Sequence, residues 1–476
     1  MLTSHSRVVL ISPPFVKDYM RNARCDFVSL SRSSWFPIWL GQAGAYLDGL
    51  GHKTWLYDAQ VLGHSFQNAL DATLEFKPDL VVVYTGRLSE DNDALFADRL
   101  AERGVRTVFV GPYASIEPKK LLEKCKFTTL AIQKEFELPL RDLLEGKDPS
   151  SIENFIVKDS STLEIRENSV RPFYKTEILD TFPLTSEYFH RQLDIRKYKT
   201  PSEYYPFIDI MSGRGCAWGK CNFCLWVQTF VTGTTYNMRS IEHFLKEFDY
   251  ISRFMPEVKS VMIQDDMLTN KRALEISEGL LARGNKLRWS CYAKPNSKLT
   301  IETMKKMRKS GCLNLHVGFE SGDDAVLEKI DKGSSVEQAK ELGRLARESG
   351  LFLHADFAMG HFGDTRETMR KTIELAKEID PHTAQFQLMI PFERTKFMSQ
   401  LTEKGCLTDT SEPTYQAIGG ASVEEIRSMA KKAYREFYLS PRYLGKALSD
   451  PTNYLFNRFD QFWPALQAIF WKRWVK

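Results

Sequence analysis

The chain has 476 residues, 43% of them hydrophobic and 26% charged, and its 65 basic and 61 acidic side chains leave a net charge of +4. That length accommodates two or three domains, and the composition is that of a folded globular protein rather than a disordered one. The charge balance argues against a nucleic-acid partner, and no apolar run reaches the roughly 18 residues that mark a membrane span.

Of the eight cysteines, Cys25, Cys125, Cys291, Cys312 and Cys406 are scattered, and the remaining three fall within nine residues at metal-ligand spacing. This is the usage of a reducing compartment. The first residues run straight into the strand-like Val8-Val-Leu-Ile-Ser12 without the layout of a signal peptide, so the expected location is cytoplasmic.

From 7 to about 145, short apolar runs alternate with longer amphipathic segments. The runs are Val8–Ile11, Thr54–Tyr57, Leu80–Tyr84, Thr107–Val110 and Thr128–Ile132. Between them lie Ile38–Leu50, Phe66–Phe76, Asp91–Arg103 and Lys119–Lys124. Alternation of this kind predicts a parallel, doubly wound α/β sheet over 1–145, whose ligands sit beyond the carboxyl ends of the strands. The candidates there are Ser12-Pro-Pro, Asp58, Thr85-Gly-Arg and Gly111-Pro-Tyr-Ala-Ser, with Gly86 and Gly111 open to close approach by a phosphate or a corrin edge. The long stretch Arg21–Trp39, rich in Ser, Arg and aromatics, has the length of a binding loop or lid. Asp58-Ala-Gln-Val-Leu-Gly63 imitates the Asp-x-His-x-x-Gly loop that supplies a cobalt-ligating histidine elsewhere, but Gln60 stands at the histidine position, so no imidazole ligand is expected from it. His52 and His64 read as surface residues.

Residues 146–205 read as a connector, with a hairpin over Asn154–Lys158 and Thr162–Ile165 and prolines at 172, 183 and 201. A second alternation then starts. Its strand candidates are Phe207–Met211, Ser260–Gln264, Leu287–Tyr292, Leu313–Phe319, Phe352–Ala358 and Ala384–Ile390. Helical segments fall at 240–255, 271–284, 300–309, 323–331 with 336–349, and 365–379, with capping boxes expected at Ser335/Gln338 and Asp364/Glu367. Six strands with this alternation predict a partial (β/α)6 barrel over 206–395, whose chemistry belongs at the carboxyl ends of the strands. His316 and His354 read as barrel-core residues by strand alternation. Residues 396–476 no longer repeat and predict a mainly helical region. A helix opens there at Ser422-x-x-Glu425, and the end, Phe462–Lys476, is aromatic and basic enough for either a helix packed on the barrel or peripheral membrane contact.

Directly after the first strand of the second set comes Gly213-Arg-Gly-Cys-Ala-Trp-Gly-Lys-Cys-Asn-Phe-Cys224. Cys216, Cys221 and Cys224 sit among three glycines that fold the loop back on itself, which neighbouring core cysteines would not need. Zinc would call for a fourth Cys or His in a paired arrangement. A [4Fe-4S] cluster takes three thiolates and leaves one iron open, and it is the better fit. Phe223 gives the loop an apolar face. The other strand ends offer Asp265-Asp-Met, Ala293-Lys-Pro-Asn, Glu320-Ser-Gly, Met359-Gly-His-Phe-Gly-Asp-Thr365, and Gln385 and Gln387. Carboxylates, an amine and glycines together suit a zwitterionic amino acid and a ribose. Asp265 and Asp266 could instead cap the following helix, and Glu320 could pair with Lys294 or another base.

The cysteine loop resembles the radical S-adenosylmethionine (SAM) superfamily, whose usual signature is Cys-x3-Cys-x-aromatic-Cys; here the first gap holds four residues, Ala217 to Lys220. Ser212-Gly-Arg-Gly-Cys, Cys224-Leu-Trp-Val-Gln-Thr, Gly51-His-Lys with Tyr57-Asp, and Val110-Gly-Pro-Tyr are similar to the branch with an N-terminal cobalamin-binding domain. Within that branch the resemblance is to enzymes of hopanoid side-chain (cyclitol ether) biosynthesis. It implies a Rossmann-like cobalamin-binding domain that includes Thr85 and Gly111, followed by a barrel holding the cluster and SAM. It also implies that Asp265 or Asp266 binds the methionyl amine, that Lys294 or Ser290 binds its carboxylate, that Glu320 binds the ribose or methionyl group, and that Gly360 lies against the adenine. Phe223 and Gln387 complete the candidate set. The family turn reads Gly-x-Pro-Gly-Glu-Thr, and here Phe362 and Asp364 replace Pro and Glu.

The chemistry so implied is reductive cleavage of SAM to a 5′-deoxyadenosyl radical, with flavodoxin or ferredoxin as electron donor and a small or lipid-linked substrate. Two outcomes follow: ring contraction of a sugar-derived substrate such as a hopanoid side chain, or methyl transfer to an sp³ carbon through cobalamin. A non-catalytic iron–sulfur or zinc sensor is the alternative of another class.

Overall fold

The computed structural model describes residues 5–21, 26–29, 32–200, 202–406 and 421–450. Seven strands form the first sheet: β1 (Arg7–Ser12), β2 (Lys53–Asp58), β3 (Leu80–Tyr84), β4 (Thr107–Val110), β5 (Leu130–Ile132), β6 (Phe155–Lys158) and β7 (Ile165–Glu167). Their order is β2-β1-β3-β4-β5-β6-β7, parallel through β5 and antiparallel thereafter. The central strands are apolar on both faces because both faces are covered. Val8, Leu10 and Val82 belong to the large core shared with the rest of the chain, whereas Val9, Ile11, Val81 and Val83 pack with Leu70, Phe96 and Leu100. The strand order places the topological switch between β1 and β3.

The hairpin assigned to the connector belongs to this sheet: β6 pairs with β5 and β7 with β6. β5 is only three residues long, and a parallel sheet ending there would leave an open edge. The connector therefore starts after Glu167, not at 146.

The helix Ile38–Gly49 is buried continuously from Ile38 to Leu47. An all-round apolar helix is an interior one. A Cβ on its Gly41 would lie 2.2 Å from the Phe189 ring and one on Gly44 2.5 Å from Tyr188, so this side is pressed onto the connector helix Thr185–Gln192.

The second sheet has six parallel strands in chain order: β8 (Phe207–Ile210), β9 (Ser260–Ile263), β10 (Arg288–Ala293), β11 (Cys312–Glu320), β12 (Phe352–Met359) and β13 (Thr383–Leu388). Helices Ile241–Phe254, Asn270–Ala282, Ile301–Lys309, Val336–Ser349 and Arg366–Ile379 alternate with them, giving a partial (β/α)6 barrel. Helix Val423–Tyr438 packs on β13, where the Tyr438 hydroxyl donates to Ala384 O (2.8 Å) and accepts from its amide (3.0 Å).

Capping boxes form at Ser335/Gln338 and Ser422/Glu425. The third does not form at Asp364/Glu367. Thr365 caps that helix with Thr368, which frees Asp364 for the preceding turn. Among the described residues no helix is long and apolar enough to cross a membrane. The aromatic, basic end 462–476 and positions 22–25 and 30–31 of the long N-terminal loop lie outside the described residues.

Candidate active site

The loop after β8 is held open by backbone geometry that side chains would block. Gly213–Arg214 pairs with Asn237–Met238. Gly215 and Gly219 have φ of +88° and +61°, and a Cβ there would come within 2.2 Å of Thr235 O and 2.0 Å of Gly233 O. Only glycine tolerates both the conformation and the approach.

Arg214 ties this loop to the first domain. Its guanidinium, 2% exposed, meets Glu135 and Glu137 at 2.7 Å each, reaches Gln42 Oε1 at 2.7 Å and lies over the Trp39 ring. Burial pushes the Glu135 carboxyl up to about 7 against the pull of Arg214, with Glu137 adding to the rise. On the far side of the cysteines, Trp226 and Phe230 stack at 4.2 Å and lean on Trp39. The loop is therefore clamped at both ends to the buried helix Ile38–Gly49.

Between the clamps lie the three cysteines. Cys216 and Cys221 are buried and Cys224 is partly buried. Burial pushes the Cys224 thiol up to about 12, and the nearby Cys221 and Cys216 add to it, so the three share one electrostatic neighbourhood. Among the described residues no three His, Cys, Asp or Glu side chains close on a point as ligands of a single ion do. The Lys294 Nζ donates to Cys221 Sγ at 3.6 Å and to Lys332 O at 3.1 Å. Burial and the charge of Lys332 lower its pKa, while the Cys221 thiolate works the other way.

The remaining candidates divide. Asp265 is fully buried and turned back on the loop, accepting from Ser212 N (2.6 Å), Ser212 Oγ (2.5 Å) and Tyr236 Oη (2.6 Å). It braces the start of the cysteine loop rather than presenting a carboxylate outward. Nor does it cap the next helix, a task that falls to Thr269. Asp266, half-buried, faces the thiols closely enough to raise Cys216 and Cys224. Ser290 Oγ is buried and without a hydrogen-bond partner.

Glu320 leaves β11 at φ +67°, beside a register shift at Gly318/Glu320, and pairs with Lys332 at 2.8 Å. Burial raises this carboxyl, but Lys332, His361 and Lys294 together outweigh it and the net shift is downward. A non-glycine residue in the left-handed region at a strand end is the kind of strain that collects at functional sites. Gly360 has φ +92° and gives its amide to Asp364 Oδ2 at 2.9 Å. Phe223 packs with Ala358, Phe362, Met389 and Phe397, whereas Gln387, in register with Ala358, is exposed. Arg214 and His361 lie in stretches the sequence singles out but carry no role there, and Tyr236 and Lys332 are brought to the loop only by the fold.

The carboxyl edge of the first sheet is filled from within. The Thr85 hydroxyl donates to Val110 O at 3.1 Å, and a Cβ on Gly111, whose φ is +102°, would lie 3.0 Å from Thr85 O. Gly86 does not await a ligand, because a Cβ there would sit 2.3 Å from the Tyr19 hydroxyl and 2.8 Å from Asp26. Arg21 pairs with Asp93 at 2.9 Å and donates to Ser89, and Tyr198 donates to Asp58 at 3.1 Å. His64 is exposed, with its Nδ1 2.6 Å from the Tyr57 hydroxyl, while His52 is half-buried. In the barrel core, His316 stands between Tyr292 and His354 at ring distances of 5.2 and 5.1 Å.

The two sheets meet at their carboxyl edges. The helix Pro112–Ile116 after β4 packs on Leu225–Thr229 after the last cysteine, and Arg87 bonds Glu393 at 2.9 Å.

Residues 210–376 match the family model of the radical SAM superfamily. That stretch of the chain is a radical SAM domain, and the chain is an enzyme. Such a domain implies a [4Fe-4S] cluster and SAM as cofactors. Three clustered thiols, two buried ammonium groups and the orphaned Ser290 hydroxyl make a donor set that fits them. The chain is 26% identical over 422 residues to an uncharacterized methyltransferase of Pyrococcus horikoshii, covering 86% of this chain and 89% of that one. Its fold matches the cobalamin-dependent S-adenosylmethionine radical enzyme OxsB, with a TM-score of 0.70 at 17% identity over 96% of this chain and 72% of that one. It also matches the radical SAM methyltransferase TsrM of Kitasatospora setae, with a TM-score of 0.66 at 18% identity over 89% and 84% of the two chains.

Proposed function

We propose that this radical SAM enzyme is a cobalamin-dependent methyltransferase acting on an unactivated carbon of a small or lipid-linked substrate, with flavodoxin or ferredoxin as reductant. In this reading Cys216, Cys221 and Cys224 hold the cluster, and SAM lies at the barrel mouth beside Asp266, Ser290, Lys294 and the Glu320–Lys332 pair. A corrin lies between the carboxyl edges of the two sheets. The observation that carries it is the junction itself: the helix after the last cysteine packs on the helix that follows β4, and Arg87 after β3 pairs with Glu393 after β13, so the cysteine loop adjoins the carboxyl edge of a second parallel sheet.

Bound there, the reduced cluster supplies the electron that cleaves SAM, and cobalamin supplies a methyl carrier. The chain's own groups bind, orient and exclude water. Lys294 and Lys332 offset the negative charge gathered by three thiolates, and Lys294, which Glu320 does not engage, takes the ligand carboxylate. Asp266, which faces the thiols while Asp265 braces the start of the loop, takes the ammonium. Phe223 and its apolar neighbours keep water from the space beside the sulfurs.

Ring contraction of a hopanoid side chain rests on short resembling stretches alone. The methyltransferase names carried by the relative and by one structural match favour methyl transfer. The deciding experiment is anaerobic reconstitution with iron, sulfide and hydroxocobalamin, followed by reduction in the presence of methyl-deuterated SAM. The expected result is about four irons and one cobalt per chain, with deuterium in the corrin fraction by mass spectrometry. Deuterium absent from that fraction, with 5′-deoxyadenosine still formed, would leave radical rearrangement instead. Iron bound without any SAM cleavage would leave only a sensor. Replacing any one of the three cysteines by Ala should remove the cluster absorption and all SAM cleavage.

A further inference from the structure

Helix Pro441–Ser449 is the last described helix, and one side of it is fastened to the barrel. Tyr443 and Ala447 are buried, and the Tyr443 hydroxyl donates to His382 O at 3.3 Å just before β13. Arg442 and Lys446 both pair with Asp380, which caps the end of helix Arg366–Ile379. The side left outside carries Leu444 and Leu448, 41% and 78% exposed, and Leu439 just before the helix is 44% exposed. Residues four apart share a side of a helix, so Leu444 and Leu448 form one apolar step. Exposed leucines scattered singly are ordinary, but three within ten residues make a patch.

Positive charge gathers on the same part of the chain. From Arg427 onward the sequence holds ten Lys and Arg against three Asp and Glu, a net +7, whereas the whole chain carries +4 and the preceding 426 residues therefore carry −3. The 26 residues after Asp450, which lie outside the described structure, add eight aromatic side chains, Trp463, Trp471 and Trp474 among them, and the basic Lys472, Arg473 and Lys476. Tryptophan, leucine and phenylalanine interleaved with Lys and Arg is the composition of a segment that lies in a lipid interface. A nucleic acid would use the charge but not the solvent-facing leucines.

We propose that the C-terminal part of this chain docks on an anionic lipid bilayer. Leu439, Leu444 and Leu448 enter the boundary of the acyl chains together with the aromatic side chains that follow, and the Lys and Arg residues meet the headgroups. The proposal goes beyond the reading of the active site and rests on no part of it. Asp380 and His382 precede β13, so the patch lies at the amino ends of the barrel strands, opposite the cysteine loop. Docking by this side holds the enzyme at the surface and leaves its mouth open to the aqueous phase.

The test is flotation of the full chain with vesicles of phosphatidylcholine, either pure or with about 30 mol% phosphatidylglycerol. Affinity for the anionic vesicles should exceed that for the neutral ones by about tenfold or more and fall at high salt. The double variant Leu444→Ser/Leu448→Ser, which keeps every charge, should bind the anionic vesicles about tenfold more weakly. The triple variant Lys472→Gln/Arg473→Gln/Lys476→Gln should lose about tenfold or more of the preference for them. Leu163→Ser, at a leucine 62% exposed in the β6–β7 hairpin, should stay within about twofold of wild type. Circular dichroism reports whether each variant is folded, and where the leucine pair fails to fold the triple variant carries the comparison. Equal affinity for both kinds of vesicle, binding to neither, or a folded leucine variant that binds like wild type would overturn the proposal. So would a dimer that the leucine pair abolishes without any vesicle binding, or capture of duplex DNA in place of vesicles.

Discussion

At the carboxyl edge of the first sheet, Arg21 meets Asp93 and Ser89, Asp26 accepts the amides of Arg87 and Leu88, and Thr85 bonds Val110; at the mouth of the second, Ser290 Oγ, Asn222 Oδ1 and both nitrogens of His361 are buried without partners. The first edge has one such atom in its ion pair, Arg21 Nε. Buried polar groups that lack protein partners mark where a fold leaves bonds for something else to make. The two edges share an architecture, and this difference in satisfaction marks the first as the more fully braced and the second as the one with side-chain bonds left to make. Substitutions at the first edge should therefore cost stability, and those at the second should cost ligand affinity.

The largest effect is expected from Arg21→Met, which strands a fully buried Asp93 carboxylate. A loss of about 3–5 kcal/mol in chemical denaturation is expected, and a loss below about 1 kcal/mol would show that the pair is not the brace it is taken for.

Asp58 gives a pH-dependent version of the same contrast. Burial lifts its pKa from 3.8 to about 6, against the Val61 amide and the Tyr198 hydroxyl. Between those values the unfolded carboxyl ionises while the folded one keeps its proton, so stability should fall as pH rises from 4 toward 6 and then level off. The total is about 3 kcal/mol at most. Asp58→Asn should flatten that slope, as read by urea midpoints across the window.

Thr85→Val should cost about 1 kcal/mol, because Val110 O keeps the Thr85 amide at 2.9 Å when the hydroxyl is gone. Smallest in stability is Ser290→Ala, expected within about 0.5 kcal/mol of wild type, yet weaker in binding S-adenosylhomocysteine. A Ser290→Ala enzyme that is markedly destabilised but binds normally would reverse the contrast.

Much of the plan was legible along the chain. Alternating apolar runs and amphipathic segments carry both sheets, because strand burial and helix periodicity are local properties. The cysteine spacing with its glycines marks the loop for the same reason. Other features were not legible. Asp265 and Asp266 are neighbours with the same chemistry, and only the approach of Ser212 and Tyr236 turns one inward. Nothing near Lys332 says that it will reach Glu320, twelve residues earlier and across a strand end. Gly86 reads as a ligand-facing glycine, yet it yields to Tyr19, more than sixty positions away. The hairpin Phe155–Glu167 carries a strand pattern but no address, so its pairing with β5 came only with the sheet.

By itself the sequence determined the two alternating halves, the thiol trio and the glycines that bend the chain around it, since these depend on spacing and backbone freedom alone. Tertiary structure decided which polar side chains are spent on one another and which are left over. That partition is set by distances between residues far apart in the chain, and a one-dimensional pattern does not contain them.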